Sequence, residues 1–128
     1  MMRVLFANPD QKLSQIYVEH MKNYFLVDSV FDGLSAVRKF NISPPHVIVS
    51  DYYLPLVSGI SFLKFVRNNP ELNATPFVFL SRHHDNAEAL NFGANDWLDT
   101  RICNPDYLLD RIHHHLKTNK YGVQIHRA

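Results

Sequence analysis

A chain of 128 residues, 46% apolar and 20% charged, has the size and composition of one globular domain built around one core. Its formal charge of +1 gives no electrostatic basis for a nucleic-acid or acidic-lipid surface, and no apolar run reaches bilayer-spanning length. The start "MMRVLFANPD" meets a polar turn too early for a signal peptide, and the single cysteine, Cys103, excludes an intrachain disulfide, which fits a reducing cytosol.

Strand and helix patterns alternate along the chain. "RVLFA" (3–7) reads as a short buried strand, and "NPD" opens a helix with Asn8 as N-cap and Pro9 at N1. Leu13, Ile16, Tyr17, His20, Met21 and Tyr24 place one stripe on that helix, which ends near Lys22 or Tyr24. "FLVDSV" (25–30) is a second strand, followed by a "DG" turn at 32–33. Leu34, Val37 and Phe40 mark a second helix that "NISPP" stops. "HVIVS" (46–50) has no polar alternation, as expected of a central parallel strand covered on both faces. Phe62, Leu63, Phe65 and Val66 mark a third helix ended by "NNP", and "PFVFLS" (76–81) is a fourth strand. Ala87 and Leu90 suggest a short fourth helix before "FGAN", and "DWLD" (96–99) is a fifth strand. Asn104-Pro105 caps a last helix carrying Leu108, Leu109, Ile112 and Leu116. Residues 117–128, polar apart from a lone Val123 and Ile125, read as a tail or linker.

Five such units with short connections imply one parallel sheet with helices on both faces. Functional groups in such sheets gather beyond the carboxyl ends of the strands. Asn8, Asp10, Asp51, Ser81, Asp99, Thr100 and Arg101 stand at those ends. A carboxylate there is a competent nucleophile toward a phosphoryl group, given nearby positive charge from a magnesium ion and a cationic side chain. A hydroxyl such as that of Ser81 can bind a phosphoryl oxygen. His113, His114 and His115 do not make a metal site, because consecutive helical residues point about 100° apart.

The loop "DYYLPLVSG" (51–59), with "FLS" ending at Ser81 and "GANDWL" (93–98), resembles the response-regulator receiver domain of two-component signalling, as in chemotaxis regulators. The resemblance covers residues 3 to 116, so 1–116 is the expected receiver domain. It implies a flavodoxin-like doubly wound sheet of five parallel strands in the order 2-1-3-4-5 with five helices. It also implies Asp51 as phospho-acceptor, the Tyr53 backbone carbonyl as a Mg2+ ligand beside Asp51, Ser81 as hydroxyl switch and Trp97 at the aromatic switch position. The implied partners are a sensor histidine kinase or a downstream protein, with a homodimer through strand 5 and the last helix also open. Contact with nucleic acid or membrane is not expected of a cytoplasmic domain of this kind.

The chain departs from the family pattern at three places. The adjacent acids that hold Mg2+ are replaced by Asn8 and Pro9, and Asp10, one residue on, is either a metal ligand or a helix-dipole partner. The Lys-Pro pair after strand 5 is absent. Counting from Trp97 puts Thr100 at the lysine position, whereas counting back from Asn104-Pro105 puts Arg101 there. A cis bond without proline costs about 3–4 kcal/mol, so a trans bond and a rearranged loop are expected. Arg82, where the family has a small residue, is expected to crowd the acceptor. The lost acids and lysine imply weakly held Mg2+ and slow phosphorylation of Asp51. The alternative is a phosphorylation-independent docking or dimerisation module using Tyr107, Arg111 and the histidines. An aspartate-nucleophile phosphatase is disfavoured because Tyr53 stands where its second acid belongs, and "NPD" lacks the residues of a phosphate-cradling loop. No enzymatic activity is expected.

Overall fold

Every apolar run of four or five residues becomes a strand, and the helices between them return the chain to the same edge. The computed structural model describes residues 1–82 and 87–127, with side chains through Thr118. The order is β1 (Arg3–Ala7), α1 (Gln11–Met21), β2 (Leu26–Val30), α2 (Gly33–Ile42), β3 (Val47–Ser50), α3 (Gly59–Arg67), β4 (Phe77–Ser81), α4 (Ala87–Asn91), β5 (Asp96–Asp99) and α5 (Pro105–Arg127). All pairings are parallel, in the sheet order β2-β1-β3-β4-β5 expected from the resemblance.

Alternation along the central strands divides the interior in two. Val4, Phe6, Val47, Val49, Val78 and Leu80 face a layer closed by Tyr17 and Met21 of α1 and by Leu108 and Ile112 of α5. Leu5, Ile48, Phe77 and Phe79 face Phe40 of α2 with Phe62, Leu63 and Val66 of α3. Both faces of β3 are therefore covered, which explains its unbroken apolar sequence. Burial of each such side chain contributes on the order of 1.5–3 kcal/mol.

The helix starts show one correction. Asn104 caps α5 as expected, its Oδ1 accepting from the Tyr107 N–H at 2.8 Å. Asn8 does not cap α1. Asp10 does, accepting from the Leu13 N–H, and the helix begins at Gln11. The cause is the sheet: the Asn8 N–H still donates to the Val30 carbonyl at 3.0 Å, which holds Asn8 in the ladder. The backbone of α5 runs on to Arg127, so the segment expected as a tail or linker continues the helix. Ala128 and the side chains of Val123 and Ile125 lie outside the described residues.

Two polar staples fasten the outer elements. The Arg67 guanidinium donates to the carbonyls of Gly93 (2.8 Å), Asn73 (3.0 Å) and Thr75 (2.6 Å) and to Asn95 Oδ1 (2.9 Å). Burial lowers its pKa to about 10, so it stays charged at neutral pH. On the other side, Asp96 Oδ2 accepts from Arg111 Nε at 2.7 Å and from the buried His115 Nε2 at 2.8 Å. Burial alone would raise the Asp96 pKa, but these two donors outweigh it and bring the value to about 2. The three consecutive histidines thus diverge as geometry requires: His115 is buried, His114 is exposed, and exposed His113 packs on Phe25.

Arg67→Ala leaves three carbonyls without these donors and is expected to cost about 2–4 kcal/mol, read as a lower urea midpoint. Because the folded pKa of Asp96 is depressed, its stabilisation is complete above the unfolded value and disappears as pH falls from about 4 to about 2. Asp96→Asn is expected to cost on the order of 1–2 kcal/mol at pH 7 and to flatten acid unfolding in that window.

Candidate functional site

The site lies where β1, β3, β4 and β5 end. The Asp51 N–H donates to the Ala7 carbonyl at 2.8 Å, continuing the β1–β3 ladder by one step. Asp51 is half-buried, and its Oδ1 accepts from the Tyr53 N–H at 3.3 Å. Ser81, fully buried, ends β4 in register with Asp99 of β5. The N–H of Thr100 donates to the Ser81 carbonyl at 3.0 Å. The topology therefore brings Asn8, Asp51, Ser81, Asp99 and Thr100 to one edge of the sheet.

The loop after Asp51 is shaped by close backbone approaches. The Gly59 N–H donates to the Tyr52 carbonyl at 2.9 Å, and a Cβ on Gly59 would lie 2.3 Å from the Asp51 carbonyl oxygen. The Gly33 N–H donates to the Pro55 carbonyl at 2.9 Å, and a Cβ there would overlap the Val57 carbonyl. The loop is thus clamped between the starts of α2 and α3. A three-residue turn from Pro55 to Val57 holds Leu56 at φ 71°, a conformation unfavourable for a leucine. The sequence marks Gly59 through the loop pattern. It gives no sign that the "DG" pair at 32–33 serves the same loop, since those residues lie far apart in the chain.

The Tyr52 and Tyr53 rings meet edge to face, 5.0 Å between centroids, but differ in exposure. Tyr53 is exposed, while the Tyr52 ring packs 5.6 Å from Phe79 and 5.5 Å from Trp97, centroid to centroid. Trp97 also rests on Phe79 at 5.2 Å, and the Tyr52 hydroxyl donates to Glu88 on α4 at 3.2 Å. Trp97 therefore touches the residue beside Asp51. Sequence reasoning missed this role of Tyr52; its only sign is an aromatic next to the acid.

The charged residues at the edge have local tasks. Asp10 is exposed and caps α1. Arg101 is exposed, and its guanidinium grips Asp99, with Nη2 at 2.6 Å from Oδ2 and Nε at 3.0 Å from Oδ1. The N–H groups of Ile102 and Cys103 both donate to the Asp99 carbonyl, closing a tight turn. No cis peptide bond occurs among the described residues, so the bonds around Arg101 are trans, as expected, and the loop is rearranged into this turn. Arg82 follows Ser81 and is exposed.

A doubly wound parallel sheet with an acid, a hydroxyl and an aromatic at its carboxyl edge defines a flavodoxin-like α/β domain with its site at the switch point. The family model described as "Response regulator receiver domain" matches residues 8–113. The chain belongs to that family and is a signal-transduction receiver domain of two-component response regulators. It is 33% identical over 75 residues to the probable chemotaxis protein CheY of Rhizobium etli, a match covering 56% of this chain and 58% of that protein. It is 30% identical over 115 residues to the transcriptional regulatory protein DltR of Streptococcus agalactiae, covering 87% of this chain and 50% of that one. The solved chemotaxis response regulator CheY4 of Vibrio cholerae superposes with a TM-score of 0.83 at 26% identity over 90% of this chain and 98% of that chain. The receiver domain of Francisella response regulator 1452 gives 0.83 at 29% identity over 92% and 98%. The chain thus spans 58% or less of the length of these curated relatives.

Receiver domains generally bind Mg2+ at an acidic pocket. Mg2+ wants a near-octahedral oxygen shell with one or two carboxylates. Here Asn8 and Pro9 bring no carboxylate, and Asp10 spends its own on the helix cap. No cluster of three His, Cys, Asp or Glu side chains able to hold a metal exists among the described residues. This donor set does not fit the ion.

Gly59→Ala is expected to displace the Asp51 loop and cost on the order of 2–4 kcal/mol. Leu56→Gly is expected to relieve the positive φ and gain about 0.5–1 kcal/mol, both read by thermal unfolding.

Proposed function

We propose that this receiver accepts a phosphoryl group on Asp51, slowly, and passes its state on through protein contacts. The observation that carries this reading is the shared edge: Asp51 follows β3 in a clamped loop, Ser81 ends β4, and Trp97 packs on the residue next to the acid. In the transfer, an Asp51 oxygen attacks phosphorus and forms the new P–O bond. The P–N bond of a phosphohistidine donor breaks, and its imidazole keeps the electron pair and takes a proton. Ser81 donates to a phosphoryl oxygen, and Trp97 responds through Tyr52. Thr100 and Arg101 remain the two candidates for the lysine position. Any Mg2+ at Asp51 and the Tyr53 carbonyl is held weakly, because the acidic pair is missing, and transfer is slow for the same reason.

Receiver domains interact with histidine kinases and downstream effectors and are typically signalling modules rather than enzymes. For this chain we assign a sensor kinase or a downstream protein as partner, with β5 and α5 as the face for a second copy and no contact with nucleic acid. No helix among the described residues is long and apolar enough to cross a membrane. We assign the domain to the cytoplasm. Residues 1–116 form the receiver in this reading, and 117–128 lead away from it. A second reading, a phosphorylation-independent docking module, is favoured by one observation: Arg101, a candidate cation for the site, is engaged by Asp99.

Incubation with a small phosphodonor such as phosphoramidate is expected to add the mass of one phosphoryl group and to change the emission of Trp97, the only tryptophan. Asp51→Asn is expected to abolish both responses with little loss of stability. Labelling that persists in that variant, or never occurs in the parent, selects the docking module.

A further inference from the structure

Asn8 is 3% exposed, and three of its four polar groups have protein partners. Its N–H donates to the Val30 carbonyl at 3.0 Å, and its carbonyl accepts from the Ser14 hydroxyl at 3.4 Å. Its side-chain Oδ1 accepts from the Asp10 N–H at 2.8 Å. The fourth group, the Nδ2 amide with two N–H donors, has no partner among the described residues. With Oδ1 turned to the start of α1, Nδ2 is turned away from it. Asn8 directly follows Ala7, whose carbonyl holds the Asp51 N–H, so this donor stands at the strand end beside Asp51. The Nδ2 amide is open to solvent rather than sealed in the core, and an open pair of N–H donors beside a carboxylate can take an incoming anionic oxygen.

We propose that Asn8 is an oxyanion-binding residue: its Nδ2 donates to a phosphoryl oxygen carried on Asp51 and makes the site independent of a divalent cation. The inference rests on Asp51 as acceptor and deepens that reading. A carboxylate at this position attracts a cation and repels a phosphoryl oxygen. The carboxamide reverses both preferences at unchanged shape. The loss of the acids is then an exchange of one way of binding a phosphoryl group for another, with hydrogen-bond donors replacing the ion.

The test uses the full chain labelled with nitrogen-15 and beryllofluoride as phosphoryl mimic, in buffer stripped of magnesium and then with excess Mg2+. The Asn8 side-chain NH2 pair is expected to shift on binding, with half-saturation changing less than twofold on adding Mg2+. Asn8→Asp keeps the oxygen that accepts from Asp10 N–H, so the fold is retained. It is expected to weaken binding at least tenfold without magnesium and to make it Mg2+-dependent. Binding by the parent only with Mg2+, or an unmoved NH2 pair while the Asp51 amide shifts, overturns the proposal. Binding by Asn8→Asp with Mg2+ but never by the parent overturns it while leaving Asp51 as the acceptor position. Binding by neither protein under either condition overturns the acceptor reading and this inference with it.

Discussion

The ladder between β1 and β3 is the constraint on which the rest of this molecule depends. Covered on both faces, these strands have no freedom to slip, because a shift by one residue would exchange the two core layers. Their last rung, the Asp51 N–H on the Ala7 carbonyl, sets the acid and Asn8 side by side. The two glycine contacts then press the loop flat against α2 and α3. Position at the site is inherited from burial in the core.

Electrostatics at the edge follows a pattern of local pairing. Asp10 serves a helix start and Asp99 holds Arg101, while Asp96, at the opposite end of β5, gathers Arg111 and His115. Each of these carboxylates is engaged within its own neighbourhood. Exposed pairs such as Asp99–Arg101 contribute little stability, typically below about 1 kcal/mol. Their effect is on the site, where they direct charge away from a shared ion. Asn8 completes this pattern by presenting donors where acids would present oxygens.

The aromatic residues give the edge its rigidity. Phe40, Phe62, Phe77 and Phe79 meet in sequence across the α2/α3 face, and Phe79 touches both Trp97 and Tyr52. The residue beside Asp51 is therefore an extension of the core. A change at Asp51 that moves Tyr52 must also disturb Trp97, on the edge strand, and Glu88, on α4.

The tripeptide Asn-Pro-Asp, present at 8–10 and again at 104–106, separates what was legible in the sequence from what was not. At 104 the local rule holds, because the loop after β5 leaves Asn104 outside the ladder and its side chain caps the helix. At 8 the rule fails, because the backbone is still tied to Val30, and the capping passes to Asp10. The sequence by itself determined the element order, the two-faced burial of β3, the family and the position of Asp51, since apolar runs and loop patterns are local signals. Tertiary structure alone decided that Gly33 seats the Asp51 loop, that Tyr52 joins Trp97 to Asp51, and that Asn8 keeps a donor to spare. Those facts depend on distant segments meeting across the sheet, and no stretch of sequence carries both partners.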